Sequence, residues 1–228
     1  CDECSIVRTK TASTTLARLD VCVIGIGTVG FSTALHIKKH HGVHCYDIDP
    51  DKIKKGQRHF LSTAEWERIP YTDIYVVCVN TWWNSKPDMS AVYDVCARVK
   101  ERGDAKLVCI ESTVNVGTCR KVWREIFNKK VAVACCPHRL WPNNPGKYGV
   151  RQLRVLGELK SSSEYSSVGF YRSINIPFKL VDPIEVAELA KIAENSYYFM
   201  QIAFAEELSM LCEELGLDFI SVRDAINT

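Results

Sequence analysis

Short apolar runs alternate with amphipathic stretches along the first three quarters of the chain. Residues in these runs have the β-branched and apolar composition of buried strands, and the runs lie at Asp20–Ile24, Val43–Tyr46, Ile74–Val79, Lys106–Ile110, Val131–Ala134 and Leu153–Leu156. Helical periodicity lies between them, near residues 28–41, 89–102, 117–127 and 163–173. Alternating strands and helices form βαβ units. The pattern therefore predicts an α/β fold with a doubly wound parallel sheet of the Rossmann type.

The pattern changes after residues 174–183, where Pro177 and Pro183 indicate a last extended piece and a linker. A long helix follows from about Ile184, then a turn at Gly216 and a short helix. We therefore predict an N-terminal extension over residues 1–18, a Rossmann domain over 19–180, and the start of a helical domain over 181–228.

The long helix carries more apolar positions than one core-facing stripe can hold, which predicts burial on a second face through self-association. These positions are Ala187, Leu189, Ala190, Ile192, Ala193, Tyr197, Tyr198, Met200, Ile202, Ala203, Phe204, Leu208, Leu211 and Leu215.

Composition narrows the function classes. The 228 residues are 46% hydrophobic and carry a formal charge of +2, so the chain can bury a core and gives no reason to expect a nucleic-acid partner. No apolar run has the length of a membrane span, and the N-terminal residues lack the apolar core of a signal peptide. Several of the 11 cysteines lie inside apolar runs, which favours reduced thiols and a cytoplasmic location. Cys1 and Cys4 form one C-x-x-C without a second pair, so we predict no metal site.

The stretch VCVIGIGTVG places Gly25, Gly27 and Gly30 in a G-x-G-x-x-G pattern between a strand and a helix. Glycines at this spacing allow a tight turn and close approach of the backbone to a pyrophosphate at the helix N-terminus. The next strand ends in Asp47, whose carboxylate can accept both hydroxyls of an adenosine ribose and would repel a 2′-phosphate. The pattern favours NAD over NADP, although the glycines could also serve packing alone.

Hydroxyl groups cluster in the stretch CIESTVNVGT, where Glu111, Ser112 and Thr113 end a strand and Thr118 opens a helix. Ligands bind at the carboxyl ends of strands in open α/β sheets, although helix capping alone would also explain such residues. Farther on, Lys191 and Asn195 lie four residues apart and share one helix face. Periodicity alone favours a solvated stripe there.

Taken together, these motifs resemble the NAD-dependent nucleotide-sugar 6-dehydrogenases, which include the UDP-glucose and UDP-N-acetylmannosamine dehydrogenases. The resemblance runs from about Asp20 to Thr228 and includes an intact E-S-T-V-x-x-G-T at Glu111–Thr118 and E-L-A-K-x-x-E-N-S at Glu188–Ser196. It implies oxidation of a C6 alcohol to a uronic acid, a step of polysaccharide biosynthesis, with NAD as cofactor, a nucleotide-sugar substrate and a homodimer built on the long helix.

The resemblance also implies roles for individual residues. Its cofactor contacts correspond to Gly25, Gly27, Thr28, Val29, Gly30, Asp47, Lys52, Val79, Thr81, Ser112 and Thr113. Its catalytic residues correspond to Lys191, Asn195, Thr118 and His138, and its substrate contacts to Arg139, Leu140, Lys191 and Asn195. In the family, the helix lysine and asparagine bind the catalytic water and stabilise the developing oxyanion.

The sequence departs from the family pattern at several points. His138 stands where the family has a glutamate that assists thioester hydrolysis, and histidine can also act as a base. The V-P-T-P strand end is Val79-Asn80-Thr81-Trp82 here, without either proline. The family's nucleophilic cysteine would follow Thr228, so we expect the chain alone not to complete the oxidation. The alternative is a non-catalytic nucleotide-binding or structural subunit.

Two further groups of residues have simpler explanations. His36 and His40 are four apart, but no carboxylate or cysteine accompanies them, so we interpret them as a solvated helix face. Cys135 and Cys136 end a strand away from the family's nucleophile position, and we interpret them as structural.

Overall fold

A computed structural model describes residues 18–140, 144, 149–161 and 165–226. The predicted N-terminal extension lies outside the described residues except for Arg18, as does the C-x-x-C of Cys1 and Cys4.

The strands confirm the predicted α/β fold class. They are β1 (Asp20–Ile24), β2 (Gly42–Tyr46), β3 (Leu61–Thr63), β4 (Ile74–Val77), β7 (Leu107–Ile110), β8 (Ala132–Cys135), β9 (Arg154–Leu159) and β10 (Phe178–Val181). Together they form one eight-stranded, mostly parallel sheet in the order β10-β9-β8-β7-β4-β1-β2-β3. A separate hairpin pairs β5 (Trp82–Trp83) with β6 (Lys86–Pro87).

One pairing in the sheet differs from the predicted parallel arrangement. β9 runs antiparallel to β8, although β10 is again parallel to β9. A parallel pair needs a crossover connection, usually a helix, and the described residues between β8 and β9 contain no helix. The strand direction therefore reverses at β9 and is kept by β10.

The helices of the sheet region follow the predicted positions with shifted ends. They are α1 (Thr28–Ile37), α2 (Pro50–Gly56), α3 (Ser90–Arg102), α4 (Thr118–Lys121) and α5 (Ser167–Ser173), with a 3-10 turn at Trp66–Arg68 and a π-helical continuation of α4 over Val122–Ile126. The sequence interpretation missed α2, β3 and the β5–β6 hairpin, which are too short for periodicity. The start of α2 has a local signature, since Asp49 accepts the Asp51 N–H and Pro50 occupies the first helical position.

Both faces of the sheet are buried. Along β1, Val21 and Val23 belong to one core cluster and Cys22 and Ile24 to the other, because successive side chains of a strand point to opposite faces. Burial on both sides explains why the strands are continuous apolar runs rather than alternating ones. The nine cysteines in the described part of the chain are free, and eight are buried. Desolvation raises the pKa of Cys45, Cys96 and Cys136 to about 12, as suits small apolar core residues.

The chain divides into two compact units, and the boundary falls between Leu189 and Ala190. This boundary lies within α6 (Glu185–Leu215), which is followed by α7 (Phe219–Ile226). Gly216 adopts a left-handed conformation with φ of 67° and ends α6, and Asp218 accepts the Ser221 N–H and so caps α7. Within the described ranges, no helix has both the length and the apolar character that a membrane span needs.

Candidate functional site

The glycine loop joins β1 to α1 next to the end of β4, at the point where the strand order reverses. Gly25 has a φ of 84°, and a Cβ atom there would lie 2.6 Å from the Cys78 carbonyl oxygen. A Cβ atom at Gly30 would lie 1.8 Å from the Gly25 carbonyl oxygen. These two glycines therefore allow β1, β4 and α1 to approach one another closely.

Gly27 has a different role, because a Cβ atom there would meet nothing within 4 Å. It directly precedes α1, and no side chain caps that helix. The start of α1 thus presents backbone N–H groups and a positive helix dipole to open space, which suits the pyrophosphate of a dinucleotide. Packing alone does not explain Gly27, so the loop fits a bound NAD.

Asp47 lies beside this loop at the end of β2 and is only 5% exposed. Its Oδ2 accepts the Ile26 N–H at 2.7 Å, and its Oδ1 accepts the Asp49 N–H at 3.0 Å. The Lys52 Nζ lies 3.9 Å from the Asp47 Oδ1 and 3.4 Å from the Asp49 Oδ2. Each carboxylate oxygen keeps a second acceptor site, so a fixed Asp47 can still accept the ribose hydroxyls.

A cavity of about 680 Å³ joins these features. Among the predicted cofactor contacts it is lined by Gly25, Gly27, Thr28, Val29, Asp47, Lys52 and Val79. The cavity is also lined by residues that the sequence interpretation did not assign, including Ile48, Trp82, Trp83, Ala91 and Val95. The volume is typical of cofactor sites.

Four of the predicted cofactor contacts, Gly30, Thr81, Ser112 and Thr113, do not line this cavity. The Thr81 hydroxyl donates to the Thr113 carbonyl at 2.6 Å, and the Ser112 hydroxyl donates to the Val79 carbonyl at 2.7 Å. These bonds hold the loops after β4 and β7 together. Their cofactor contacts remain predictions.

Thr118 is buried at the first position of α4, where Glu188 closes the helix start. The Glu188 carboxylate accepts the Gly117 N–H at 2.6 Å and the Cys119 N–H at 2.7 Å. A carboxylate at a helix N-terminus satisfies unpaired donors and complements the helix dipole. The arrangement ties the start of α4 to Glu188, two positions that the sequence interpretation placed in separate motifs.

His138 lies in a buried polar network and is 7% exposed. Its Nδ1 accepts the Leu140 N–H at 3.0 Å, and its Nε2 lies 3.1 Å from the Thr33 hydroxyl and 2.8 Å from the Arg154 Nη2. The Thr33 hydroxyl also donates to Glu111 at 3.2 Å. Both ring nitrogens thus have protein partners, an arrangement suited to holding the imidazole in place. The catalytic role of His138 remains a prediction.

The predicted substrate residues Arg139 and Leu140 follow His138 at the edge of this network. Arg139 donates from Nη1 to the Leu153 carbonyl at 3.3 Å, and its own carbonyl accepts from Gln152. The loop that continues from Leu140 lies outside the described residues except for Asn144 and the residues from Gly149 onward.

Lys191 and Asn195 belong to the second unit, where both lie on α6. The Lys191 Nζ lies 3.4 Å from the Glu194 Oε2, and Asn195 is exposed. The catalytic and substrate-binding roles of Lys191 and Asn195 remain predictions.

Sequence reasoning assigned no role to three residues that shape the site: Thr33, Arg154 and Glu188. Of the three, Arg154 could best have been found from the sequence, because an arginine at the start of an apolar strand needs a buried partner for its charge. His36, by contrast, is not on a solvated face as predicted, because its Nε2 contacts the Ile174 carbonyl at 2.6 Å and it is 8% exposed. The described residues include no group of three or more His, Cys, Asp or Glu side chains that could hold a metal ion.

Comparison with known proteins identifies the family that this chain matches. Residues 56–175 match the model of the NAD binding domain of the UDP-glucose/GDP-mannose dehydrogenase family, and residues 185–228 match the model of its central domain. The glycine loop precedes the first match, so its assignment depends on the geometry described above.

Individual relatives agree with this match. The chain is 29% identical to a UDP-N-acetyl-D-mannosamine dehydrogenase of Methanococcus maripaludis, over 90% of this chain and 53% of that protein. It is 27% identical to an NDP-N-acetyl-D-galactosaminuronic acid dehydrogenase of Ralstonia nicotianae, over 87% of this chain and 55% of that protein. The chain thus spans about half the length of the curated relatives that it matches.

Solved structures show the same fold. The UDP-D-ManNAc dehydrogenase of Pyrococcus horikoshii aligns with a TM-score of 0.77 and 23% identity, over 92% of this chain and 57% of that chain. The GDP-mannose dehydrogenase of Pseudomonas aeruginosa aligns with a TM-score of 0.76 and 22% identity, over 90% of this chain and 56% of that chain.

Proposed function

This chain belongs to the UDP-glucose/GDP-mannose dehydrogenase family, and we propose that it forms the NAD-binding half of an enzyme that oxidises the C6 alcohol of a nucleotide sugar to the uronic acid. The single observation that supports this most strongly is the open space over Gly27, at an uncapped helix start, beside the fixed carboxylate of Asp47. We propose a Rossmann domain over residues 19–180 and the start of the central domain over 181–228.

Bound NAD would accept hydride from the sugar. The chain's own contribution to binding is the start of α1 for the pyrophosphate, Asp47 for the adenosine ribose, and Lys52 beside it. The loops after β4 and β7 carry Val79, Thr81, Ser112 and Thr113, and their mutual hydrogen bonds fix the strand ends that would meet the nicotinamide side.

Lys191 and Asn195 would hold the reacting oxygen of the sugar. They are spaced four apart on α6, so an ammonium and an amide lie on one face of a rigid helix. Two preorganised donors at one point stabilise negative charge as it develops on oxygen. Thr118, His138, Arg139 and Leu140 are proposed as further sugar contacts of the first unit, where His138 is held by the network around Glu111.

We further propose that the protein acts as a cytoplasmic homodimer in polysaccharide biosynthesis. The free, buried cysteines suit a reducing compartment. Ala187 belongs to the sheet core, but many of the other apolar positions of α6 are exposed, among them Phe204 at 63% and Met200 at 69%. Exposed apolar surface of this extent favours a partner.

A second candidate is a non-catalytic nucleotide-binding subunit. The observation in its favour is His138, which occupies the family's glutamate position and has both ring nitrogens bound within the protein.

The test uses the longest natural protein that contains this chain. UDP-N-acetylmannosamine, UDP-glucose and GDP-mannose are each incubated with NAD, and NADH absorbance and the uronic acid product are measured. We expect one of the three sugars to be oxidised. Lys191→Ala and Asn195→Ala should each lower kcat by about a hundredfold or more without changing the affinity for NAD. Lys179→Ala, an exposed lysine of β10, is the matched control. A protein that binds NAD but oxidises none of the sugars would support the non-catalytic alternative.

A further inference from the structure

The β5–β6 hairpin carries two exposed tryptophans on a defined scaffold. Trp82 pairs with Pro87 and Trp83 with Lys86. The two turn residues, Asn84 and Ser85, have φ angles of 49° and 59°, the pattern of the tight turn that best fits the twist of a two-stranded hairpin. The hairpin therefore has a definite geometry rather than that of an irregular loop.

The base of the hairpin is fixed to the sheet region. The Asn80 side chain donates to the Trp82 carbonyl at 2.8 Å and accepts the Trp82 N–H at 3.2 Å. The Asp88 N–H donates to the Thr81 carbonyl at 3.0 Å, and the Thr81 hydroxyl holds the loop after β7. Asn80 and Trp82 stand where the family motif has its two prolines, so the hairpin begins at the position of that motif.

Exposing both indoles to water is unfavourable in free energy, and nothing in the packing of the described residues requires it. Trp82 is 57% exposed and Trp83 is 65% exposed, which leaves a large apolar area in water. Both residues line the 680 Å³ cavity that contains the glycine loop and Asp47. Exposed aromatic side chains on a cavity wall are typical of a ligand contact.

The position of the hairpin selects the part of the cofactor that it would meet. The start of α1 fixes the pyrophosphate and Asp47 fixes the adenosine ribose, so the base attached to that ribose must lie beyond Asp47. The same cavity is lined by Ile48, which follows Asp47 in the chain, by Ala91 and Val95 of α3, and by both tryptophans of the hairpin. Thr81, Ser112 and Thr113, which are expected on the nicotinamide side, do not line it.

We propose that Trp82 and Trp83 form an aromatic wall of this cavity that packs against the adenine ring of NAD. An indole face stacks on a purine through dispersion and the loss of water from two flat apolar surfaces. Because neighbouring residues of a strand project to opposite sides, one indole contributes more of this contact than the other. The inference depends on the proposed NAD site.

The test measures binding rather than turnover. NAD, ADP-ribose and nicotinamide mononucleotide are titrated by calorimetry into the unmodified chain and into W82A, W83A, the W82A/W83A double variant, and W82F/W83F. We expect the double alanine variant to bind NAD and ADP-ribose about ten- to a hundredfold more weakly, by the same factor for both ligands. Its affinity for nicotinamide mononucleotide should not change, and W82F/W83F should retain most of the affinity for NAD.

Two controls separate the possible failures. Lys86→Ala changes a hairpin residue that does not line the cavity, and it should leave all affinities unchanged. ADP-ribose should also quench the indole fluorescence of the unmodified chain, and the quenching should be lost in W82F/W83F. If W82A/W83A binds NAD and ADP-ribose as tightly as the unmodified chain does, or loses affinity only for nicotinamide mononucleotide, the aromatic wall is overturned and the proposed cofactor site is not. Failure of the unmodified chain to bind NAD would overturn the proposed cofactor site together with this inference.

Discussion

The Glu111 carboxylate lies 2.8 Å from the Arg154 guanidinium, and neither side chain has any solvent exposure. Burial is the largest single influence and acts to lower the pKa of Arg154, but the interactions with Glu111, Cys136 and Tyr171 together raise that pKa above its ordinary value. The Tyr171 hydroxyl donates a hydrogen bond to the same carboxylate oxygen, Glu111 Oε1, at 2.9 Å. The pair joins the end of β7 to the start of β9 beneath the loop that carries His138.

We expect Arg154→Met to lower the free energy of unfolding by about 3–5 kcal/mol, because it leaves the Glu111 charge buried without the Arg154 countercharge. Urea denaturation would measure this. The double variant Glu111→Leu/Arg154→Met should recover part of the loss, since it removes both charges. Arg68→Ala, which breaks an exposed pair with Glu65, should change little. Equal losses of unfolding free energy in Arg154→Met and Arg68→Ala would contradict a stabilising role for the buried Glu111–Arg154 pair.

Substitutions at two glycines should separate folding from cofactor binding. Gly30→Ala should be strongly destabilising, because its Cβ would lie 1.8 Å from the Gly25 carbonyl oxygen. Gly27→Ala should change the unfolding free energy by less than about 1 kcal/mol but weaken NAD binding at least tenfold, since its methyl group would fill the space for the pyrophosphate. Thermal denaturation and calorimetric titration with NAD would show the two effects. Unchanged NAD affinity in Gly27→Ala would argue against a pyrophosphate at this position.

Asp47 should determine the choice of cofactor. We expect the unmodified chain to bind NAD at least tenfold more tightly than NADP, because a 2′-phosphate would meet the Asp47 carboxylate. Asp47→Asn should reduce the ratio of the NADP dissociation constant to the NAD dissociation constant, because Lys52 could then face the 2′-phosphate. The ratio is the informative quantity, since Asp47 also holds the Ile26 and Asp49 N–H groups. Equal or tighter binding of NADP by the unmodified chain would contradict this prediction.

The stability of the protein should fall as the pH is lowered from about 7.5 to 5.5. Burial lowers the pKa of His36, His41 and His44 below the ordinary histidine value. In the unfolded chain these histidines bind protons near pH 6.5, whereas in the folded chain they bind them only at lower pH. The unfolded state therefore holds more protons in this window, and the free energy of unfolding decreases.

Urea midpoints measured across this pH range test the prediction. His36→Gln should reduce the slope of stability against pH, and the exposed His59→Gln should leave it unchanged. A stability that rises as the pH falls through this window would contradict the stated direction.

The exposed apolar surface of α6 should support the homodimer. Glutamate substitutions at Phe204 and Leu208 should yield monomers or insoluble protein, because they place charges in the proposed contact. Sedimentation at micromolar concentration would distinguish these outcomes, with Glu207→Gln as the control on the same helix. A well-behaved monomer of the unmodified chain would count against the dimer.

The sequence by itself determined the features that short stretches encode. The βαβ pattern, the glycine loop, Asp47 at the end of β2 and the long helix α6 each follow from periodicity or spacing within a few tens of residues. The antiparallel placement of β9 was not available from pattern, because an apolar run is compatible with either strand direction.

Only the tertiary structure decided which polar groups meet. Glu188 closes the start of α4 across 71 residues of sequence, and Thr33 reaches His138 across 105. The Trp82–Trp83 hairpin becomes a cavity wall only because β4 ends beside the glycine loop. Local pattern depends on the period of a strand or helix, which adjacent residues specify. Partners of buried charges depend instead on which strand ends the sheet order brings together, and that order results from packing the whole core.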